Sequence, residues 1–187
     1  LMDTGIFDDD RYFDVFVEYA KETPQAVQMV ITIHNRGPED ATIHVLPHLW
    51  FRNTWSWGDG VDRPVLERGG TGFLNATHAE LGSYEFHVEG ADEWLFTENE
   101  TNPNLFERPG PAAVGGFKDA FHEVVVRGNR TATNSGETGT KAAALLVRSI
   151  PAGGMVQVRA CLRPSGEEDP FPGFDEIVTL RRSEADA

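Results

Sequence analysis

The sequence contains a single cysteine, Cys161, among its 187 residues. One cysteine cannot build an internal disulfide framework, and it also excludes a zinc site with several cysteine ligands. The same scarcity is compatible with a reducing compartment, and we expect a cytoplasmic location.

Basic residues are also scarce, because 16 Lys and Arg face 30 Asp and Glu and leave a formal net charge of −14. Only three of the basic residues are lysines. An acidic surface repels phosphate backbones and anionic lipid headgroups, so nucleic acid and membrane surfaces are poor candidate partners. No apolar run approaches the 18 residues of a membrane-spanning helix.

What the chain does contain is enough apolar sequence for one domain with a real core, at 40% hydrophobic and 10% aromatic residues. Most of its pattern has period two, which is typical of strands. Together with 19 Gly and 11 Pro, this predicts a mainly β protein, an antiparallel β-sandwich. Because Pro47 cannot donate to a ladder, the third strand should be at an edge, bulged or interrupted there. The predicted strands are 12–20, 26–35, 41–51, 79–89, 93–98, 121–128, 141–150 and 155–163, with irregular stretches at 52–76 and 98–120.

The C-terminal segment has a helical pattern instead. Phe174, Ile177, Val178 and Arg181 recur at the spacing of one helix face. We therefore predict a sandwich domain over 1–170, then a linker and the first turns of a helix over 171–187 that continues into a further domain. A short helix that docks on the sandwich is the alternative.

A tryptophan-rich segment is the first candidate site, and its members are Trp50, Arg52, Asn53, Trp55 and Trp57. If the segment is extended, Trp55 and Trp57 share one face with Asn53, while Trp50 and Arg52 point the other way. Indole faces can stack on pyranose rings, and Arg and Asn can bind hydroxyls. An aromatic cluster in the core or at a domain interface explains the same residues.

Two further segments concentrate polar side chains. Glu98, Asn99 and Asn102 lie in a loop that leaves a strand, where they suit sugar binding, acid–base chemistry or simply a solvated turn. Lys118, Asp119 and His122 lie around the start of the strand predicted at 121–128, and a structural salt bridge is the simpler interpretation of this group. The six histidines have no metal-ligand spacing, so neither a metal nor a cofactor is predicted.

Several blocks in the same order resemble one known family. They are DTGIFDDDRYFDVFVEYAK, HVLPHLWFRNTWSWG, LFTENETN, FKDAFHEVV, GTKAAALL and FDEIVTLRRSEADA. Together they resemble the N-terminal β-domain of bacterial glycoside hydrolase family 63-like proteins, relatives of the mannosyl-oligosaccharide glucosidase and mannosylglycerate hydrolase group. The resemblance covers essentially the whole chain.

The resemblance implies a super-β-sandwich that precedes an (α/α)6 barrel, and the barrel carries the acid and base of an inverting α-glycosidase. This chain would then be the non-catalytic domain, with the missing C-terminal barrel as its partner and an oligosaccharide or glycoside as the parent's substrate. No catalytic residue carries over. Two alternatives are a self-sufficient carbohydrate-binding module on Trp50, Trp55 and Trp57, and a mutarotase-type epimerase that pairs His48 or His122 with Glu98.

Overall fold

The computed structural model describes residues 2–5, 9–58, 62–106, 115–166 and 169–187. Within these ranges the chain forms two α-helices and a series of β-strands. The strands are β1 (Phe13–Lys21), β2 (Val27–Asn35), β3 (Ala41–Val45), β4 (His48–Trp50), β5 (Val65–Gly70), β6 (Phe73–His78), β7 (Gly82–Val88), β8 (Glu93–Thr97), β9 (Thr138–Gly139), β10 (Lys141–Ile150) and β11 (Met155–Pro164). The helices are α1 (Ala120–Arg127) and α2 (Phe174–Ala185).

The strands form two antiparallel sheets. The larger sheet has the order β1-β2-β11-β7-β6-β5-β9, and in the smaller sheet β10 pairs with β3, β4 and β8. Their inner faces enclose one core, in which Ile33, Leu66, Leu74, Phe96 and Leu146 are almost completely buried. This architecture confirms the predicted antiparallel β-sandwich.

Strand β10 shows why the run 142–147 is a strand and not a helix. Residues 142–146 are all buried, which is typical of a strand covered on both faces. Of the three outcomes predicted at Pro47, the structure has the interruption, because β3 ends at Val45 and β4 begins at His48. Pro47 lacks an N–H, and its carbonyl accepts a hydrogen bond from the N–H of Ala144 at 3.1 Å.

The prediction of a strand at 121–128 was wrong, because this segment is helix α1. Phe121 and Val124 lie one helical turn apart and are buried against the smaller sheet, whereas Val126 points to solvent. Gly128 ends the helix in the left-handed conformation, at φ 66°, and its N–H bonds the carbonyls of Glu123 and Val124. The β-branched residues suggested a strand, but the apolar contacts follow the helical period.

The irregular stretch predicted at 52–76 contains two strands, β5 and β6, which the sequence pattern missed. Their connection depends on glycine, because the ring of Phe73 lies where a Cβ of Gly69 or Gly70 would stand. Residues 59–61, and residues 107–114 in the second predicted irregular stretch, lie outside the described part of the chain.

Helix α2 confirms the helical pattern predicted at the C-terminal segment. Phe174 and Val178 are buried against Ala20 and Val30 of the larger sheet. The guanidinium of Arg181 donates from Nε to the carbonyl of Lys21 at 2.9 Å. The predicted domain boundary at 170/171 stays a prediction.

Strand β1 leaves part of the core-facing side of the larger sheet uncovered. Val15 and Val17 pair with the buried Ile33 and Ile31 of β2 and share their face. Nevertheless Val15, Val17 and Tyr19 are each about half exposed or more. Among the described residues nothing covers these three side chains, so an apolar strip lines this edge of the sandwich.

Candidate functional site

The site begins where β8 ends, at Thr97. This side chain is completely buried, and its hydroxyl donates to the carbonyl of Phe117 at 2.7 Å. The Thr97 carbonyl accepts from the N–H of Thr140 at 3.1 Å, and a Cβ at Gly139 would overlap the same oxygen. Close packing at Gly139 therefore fixes the direction in which the chain leaves β8.

Glu98 follows directly and is the centre of what we call the Glu98 cluster, which consists of Arg63, Glu98, Glu100, Asn134 and Thr140. Its carboxylate accepts from Thr140 Oγ1 at 2.7 Å and from Asn134 Nδ2 at 3.1 Å. Arg63 Nη2 lies 2.6 Å from the same Oε2 that Thr140 bonds. Three donors thus hold one carboxylate, which suits a bracing role better than proton transfer.

Arg63 links this carboxylate to the tryptophan-rich segment. Its Nη2 lies 3.2 Å from Glu100 Oε1, and the same oxygen accepts from Trp55 Nε1 at 3.0 Å. The guanidinium also stands 5.6 Å from the centre of the Trp55 ring, within cation–π range. One cation therefore separates two carboxylates and joins both to an indole.

The tryptophan-rich segment is not extended, so the predicted sharing of faces was wrong. Residues Trp55–Trp57 form a 3-10 turn, and Asn53 initiates it by accepting the N–H of Ser56 at 3.2 Å. Trp57 is 68% exposed and Trp50, on β4, is 54% exposed. Arg52 lies 4.9 Å from the Trp57 ring centre.

Asn99 joins the two predicted loops. Its side chain donates from Nδ2 to the carbonyl of Phe51 at 2.8 Å, and its backbone N–H donates to Thr140 Oγ1 at 2.8 Å. The N–H of Phe51 in turn bonds the Thr140 carbonyl at 3.1 Å. Hence Asn99 positions backbone rather than presenting a free amide to a ligand.

The remaining predicted residues lie on the same side of β10. Asn102 accepts from the N–H of Asn104 at 3.0 Å and donates to Asp119 Oδ2 at 3.1 Å. Lys118 Nζ bonds Thr101 Oγ1 at 2.9 Å. Lys118 and Asp119 therefore form hydrogen bonds with the described residues, not the ion pair that the sequence suggested.

His48 and His122 were predicted as alternative partners of Glu98. His122 is exposed on α1, and His48 packs edge-on against Phe121, with ring centres 5.3 Å apart. His48 itself is exposed at the surface of β4, yet the protein atoms around its ring desolvate it and, together with the charge of Lys141, lower the pKa of His48 to about 4. Neither imidazole forms a hydrogen bond to Glu98 within the described chain.

Lys141 completes the electrostatics of this region. Its Nζ donates to the Lys118 carbonyl at 2.6 Å and lies 5.0 Å from the centre of the Phe121 ring. Burial lowers the pKa of Lys141, the charge of Lys118 lowers it further, and Asp119 opposes both.

Sequence reasoning missed Arg63, Asn134 and Thr140. Asn134 and Thr140 lie 36 and 42 residues beyond Glu98, and Arg63 lies in the stretch taken as irregular. No local motif marks these three residues. Only the pairing of β8 with β10 brings the loop before β10 to the end of β8.

Within the described ranges, no group of three His, Cys, Asp or Glu side chains is arranged to hold a metal ion. The helices described here are too short or too polar to cross a membrane.

Comparison with known proteins yields one informative relationship. The chain is 37% identical over 220 residues to a Saccharomyces cerevisiae protein named "Uncharacterized protein YMR196W". The match covers 95% of this chain and 20% of the yeast protein, so the chain spans about one fifth of that relative's length. No family model matches the chain. The chain is therefore homologous to one part of a much longer protein whose name states no activity.

Proposed function

We propose that this chain is the non-catalytic β-sandwich domain of a longer glycoside hydrolase family 63-like, inverting α-glycosidase. In that protein it packs against a catalytic barrel and supports it. Residues 1–170 form the domain, and residues 171–187 lead toward the barrel. The ordered sequence blocks support the family, and the 20% coverage of the yeast relative supports a longer parent.

The observation that carries the proposal is the exposure of large apolar side chains on braced loops. Trp50, Trp57, Leu105 and Phe106 are all more than half exposed. They belong to the two segments that the Trp55–Glu100 and Asn99–Phe51 hydrogen bonds hold together. Rigid loops that present aromatic side chains to solvent are typical of interface anchors. We assign this surface to the barrel contact.

Two experiments test the two parts of the proposal. The complete natural protein should hydrolyse at least one member of a panel of p-nitrophenyl α-glycosides, while the 187-residue chain hydrolyses none. Failure of the complete protein on the whole panel would refute the glycosidase assignment. Activity of the short chain alone would refute the non-catalytic role.

The docking surface is tested by Trp57→Ala in two contexts. Because Trp57 is exposed here, the substitution should change the stability of the 187-residue chain by less than about 0.5 kcal/mol. In the complete protein it should lower the melting temperature of the sandwich by several degrees, since a buried interface anchor is lost. Met155→Ala, at another exposed apolar side chain, is the matched control. Equal effects of Trp57→Ala on the 187-residue chain and on the complete protein would refute the assignment of this surface to the interface.

A carbohydrate-binding module is the second candidate, favoured by the exposed Trp57 ring beside Arg52. It predicts that oligosaccharides quench tryptophan fluorescence of the short chain and that Trp57→Ala removes the quenching.

The proposal also includes a cytoplasmic location. Cell fractionation of the source organism tests it, and recovery of the protein outside the cytoplasm would contradict it.

A further inference from the structure

A second polar region lies beside the Glu98 cluster but on the other side of Asn134. It is a half-open cleft of about 370 Å³ between β5, the start of β8 and the loop that precedes β9. This volume falls within the range of small-molecule sites. The side chains that matter for its chemistry are Arg68, Glu93, Trp94, Arg130, Asn134 and Glu137.

Most charges around this cleft are already paired. Arg130 forms an ion pair with Glu93. Asp92, also at the cleft, lies 2.8 Å from Arg148 and accepts the N–H of Val147 at 2.7 Å. These groups form a framework around the cleft and contribute little net charge to a ligand.

Two opposite charges remain. The guanidinium of Arg68 forms no ion pair with a described residue, and it lies 5.9 Å from the centre of the Trp94 ring. The Glu137 carboxylate has no ion pair or side-chain hydrogen bond within the described chain. The cleft therefore offers one free set of donors and one free set of acceptors, whose charges cancel.

Trp94 lines the cleft with a buried ring. It is only 6% exposed, and its ring packs edge-on against Phe86, with centres 6.0 Å apart. Its indole N–H is buried without a hydrogen-bond partner. Buried donors normally have a partner; this one is enclosed, so Trp94 serves the cleft as a packed wall under Arg68 and not as a hydrogen-bond donor to a ligand.

The backbone holds Glu137 at the rim at a cost. Its φ of 51° is in the left-handed region, which is unfavourable for a residue other than glycine by about 1 kcal/mol. The conformation is fixed by the bond from the Arg68 N–H to the Glu137 carbonyl at 3.1 Å. Strained residues of this kind cluster at binding sites, where the surrounding structure compensates for them.

The charge pattern selects the ligand class. An anion would face the free Glu137 carboxylate and the net charge of −14, and a cation would face the free Arg68 guanidinium. An apolar ligand would leave the free donors and acceptors unpaired. We infer that this cleft binds one unit of a neutral polyhydroxy compound, a hexose or the end of a short saccharide, with Arg68 and Glu137 as its polar contacts. The inference rests on the cleft alone and does not depend on the proposed function.

The test is calorimetric titration of the 187-residue chain with D-glucose, D-mannose and D-galactose, up to about 50 mM because single sugars bind at millimolar levels. At least one hexose should bind. Arg68→Met, which keeps an apolar stem against Trp94, and Glu137→Gln should each weaken binding about tenfold, the loss expected for one charged hydrogen bond. D-Glucuronate should bind more weakly than the preferred hexose.

Trp57→Ala is the control for the exposed tryptophan, and it should leave hexose binding unchanged. Urea denaturation of each variant checks that folding is retained. Absence of binding by all three hexoses would overturn the inference. Loss of binding in Trp57→Ala with full binding in Arg68→Met would also overturn it, because the sugar would then lie on the tryptophan-rich segment.

Discussion

The Thr140 hydroxyl joins Glu98 to the backbone of the neighbouring residue Asn99. Thr140 is 2% exposed, and its oxygen accepts from the N–H of Asn99 while donating to Glu98 Oε2. Thr140→Val keeps the shape of the side chain and removes both hydrogen bonds. The substitution therefore measures what the hydroxyl contributes to the stability of the chain.

The expected loss follows from the two partners. The N–H of Asn99 is partly buried and would lack an acceptor, which costs about 1–3 kcal/mol. Glu98 is partly exposed and keeps Arg63 and Asn134, so water replaces its lost donor at little cost. We expect about 2 kcal/mol of destabilisation. For a chain of this size this lowers the melting temperature by about 4–8 °C.

Urea denaturation followed by far-ultraviolet circular dichroism measures the change as a shift in midpoint at constant slope. Thr140→Ser is the matched control, because it keeps the hydroxyl and loses only a methyl group, at a cost of about 1 kcal/mol. A loss below about 0.5 kcal/mol in Thr140→Val would refute the reasoning. So would a loss in Thr140→Ser as large as that in Thr140→Val.

Three further predictions concern the packing and ionisation of single residues. Gly139→Ala should cost about 3 kcal/mol or more, because the new methyl group overlaps the Thr97 carbonyl, whereas Gly58→Ala has open space and should be neutral within about 0.5 kcal/mol in the same urea assay. Cys161 should react with Ellman's reagent only after unfolding, because burial raises the pKa of its thiol to about 12; rapid labelling of the folded chain would contradict this. His48 should stay neutral in NMR titrations until the pH approaches about 4. Because the unfolded chain binds this proton at a higher pH than the folded chain does, the free energy of unfolding should fall as the pH drops from about 6.5 to 4. Titration of His48 near pH 6.5 would contradict both expectations.

The long strands could be predicted because their apolar residues alternate or run continuously along the sequence. Strands β1, β2, β10 and β11 all lie where the pattern placed them, and Pro47 lies at the interruption between β3 and β4. In β2, β10 and β11 the local pattern and the final environment agree, whereas the apolar face of β1 stays about half exposed.

Strands β5 and β6 could not be predicted, because much of their sequence is polar or glycine. They exist because β7 and β9 pair with them and because Phe73 fills the space above Gly69 and Gly70. The prediction of a strand in place of helix α1 was wrong for the opposite reason. Its three consecutive valines favour a strand, but only Val124 is well buried, and tertiary packing overrides the propensity.

In the candidate site, too, some residues could be predicted from the sequence and others could not. The sequence named Trp55, Glu98 and Asn99, since unusual residue types concentrate there. It did not show that Asn53 and Asn99 would be used on backbone groups, nor that Arg63 would join Glu98 to Glu100. The bond of Asn53 is local, but the roles of Asn99 and Arg63 depend on contacts between residues 35 or more positions apart, and a single sequence carries no record of those contacts.

Asn134 connects the two proposed surfaces and determines how they can be separated. Its amide nitrogen donates to Glu98 Oε1 and to the Thr138 carbonyl at 2.9 Å, and the same side chain lines the polar cleft. A change at Asn134 or Glu98 would therefore disturb both the loops that we propose to face the barrel and the cleft. Arg68 and Trp57 each belong to one surface only. If sugar occupancy and barrel docking are coupled, Arg68→Met should remove the coupling while leaving docking intact, and Trp57→Ala should weaken docking while leaving sugar binding intact.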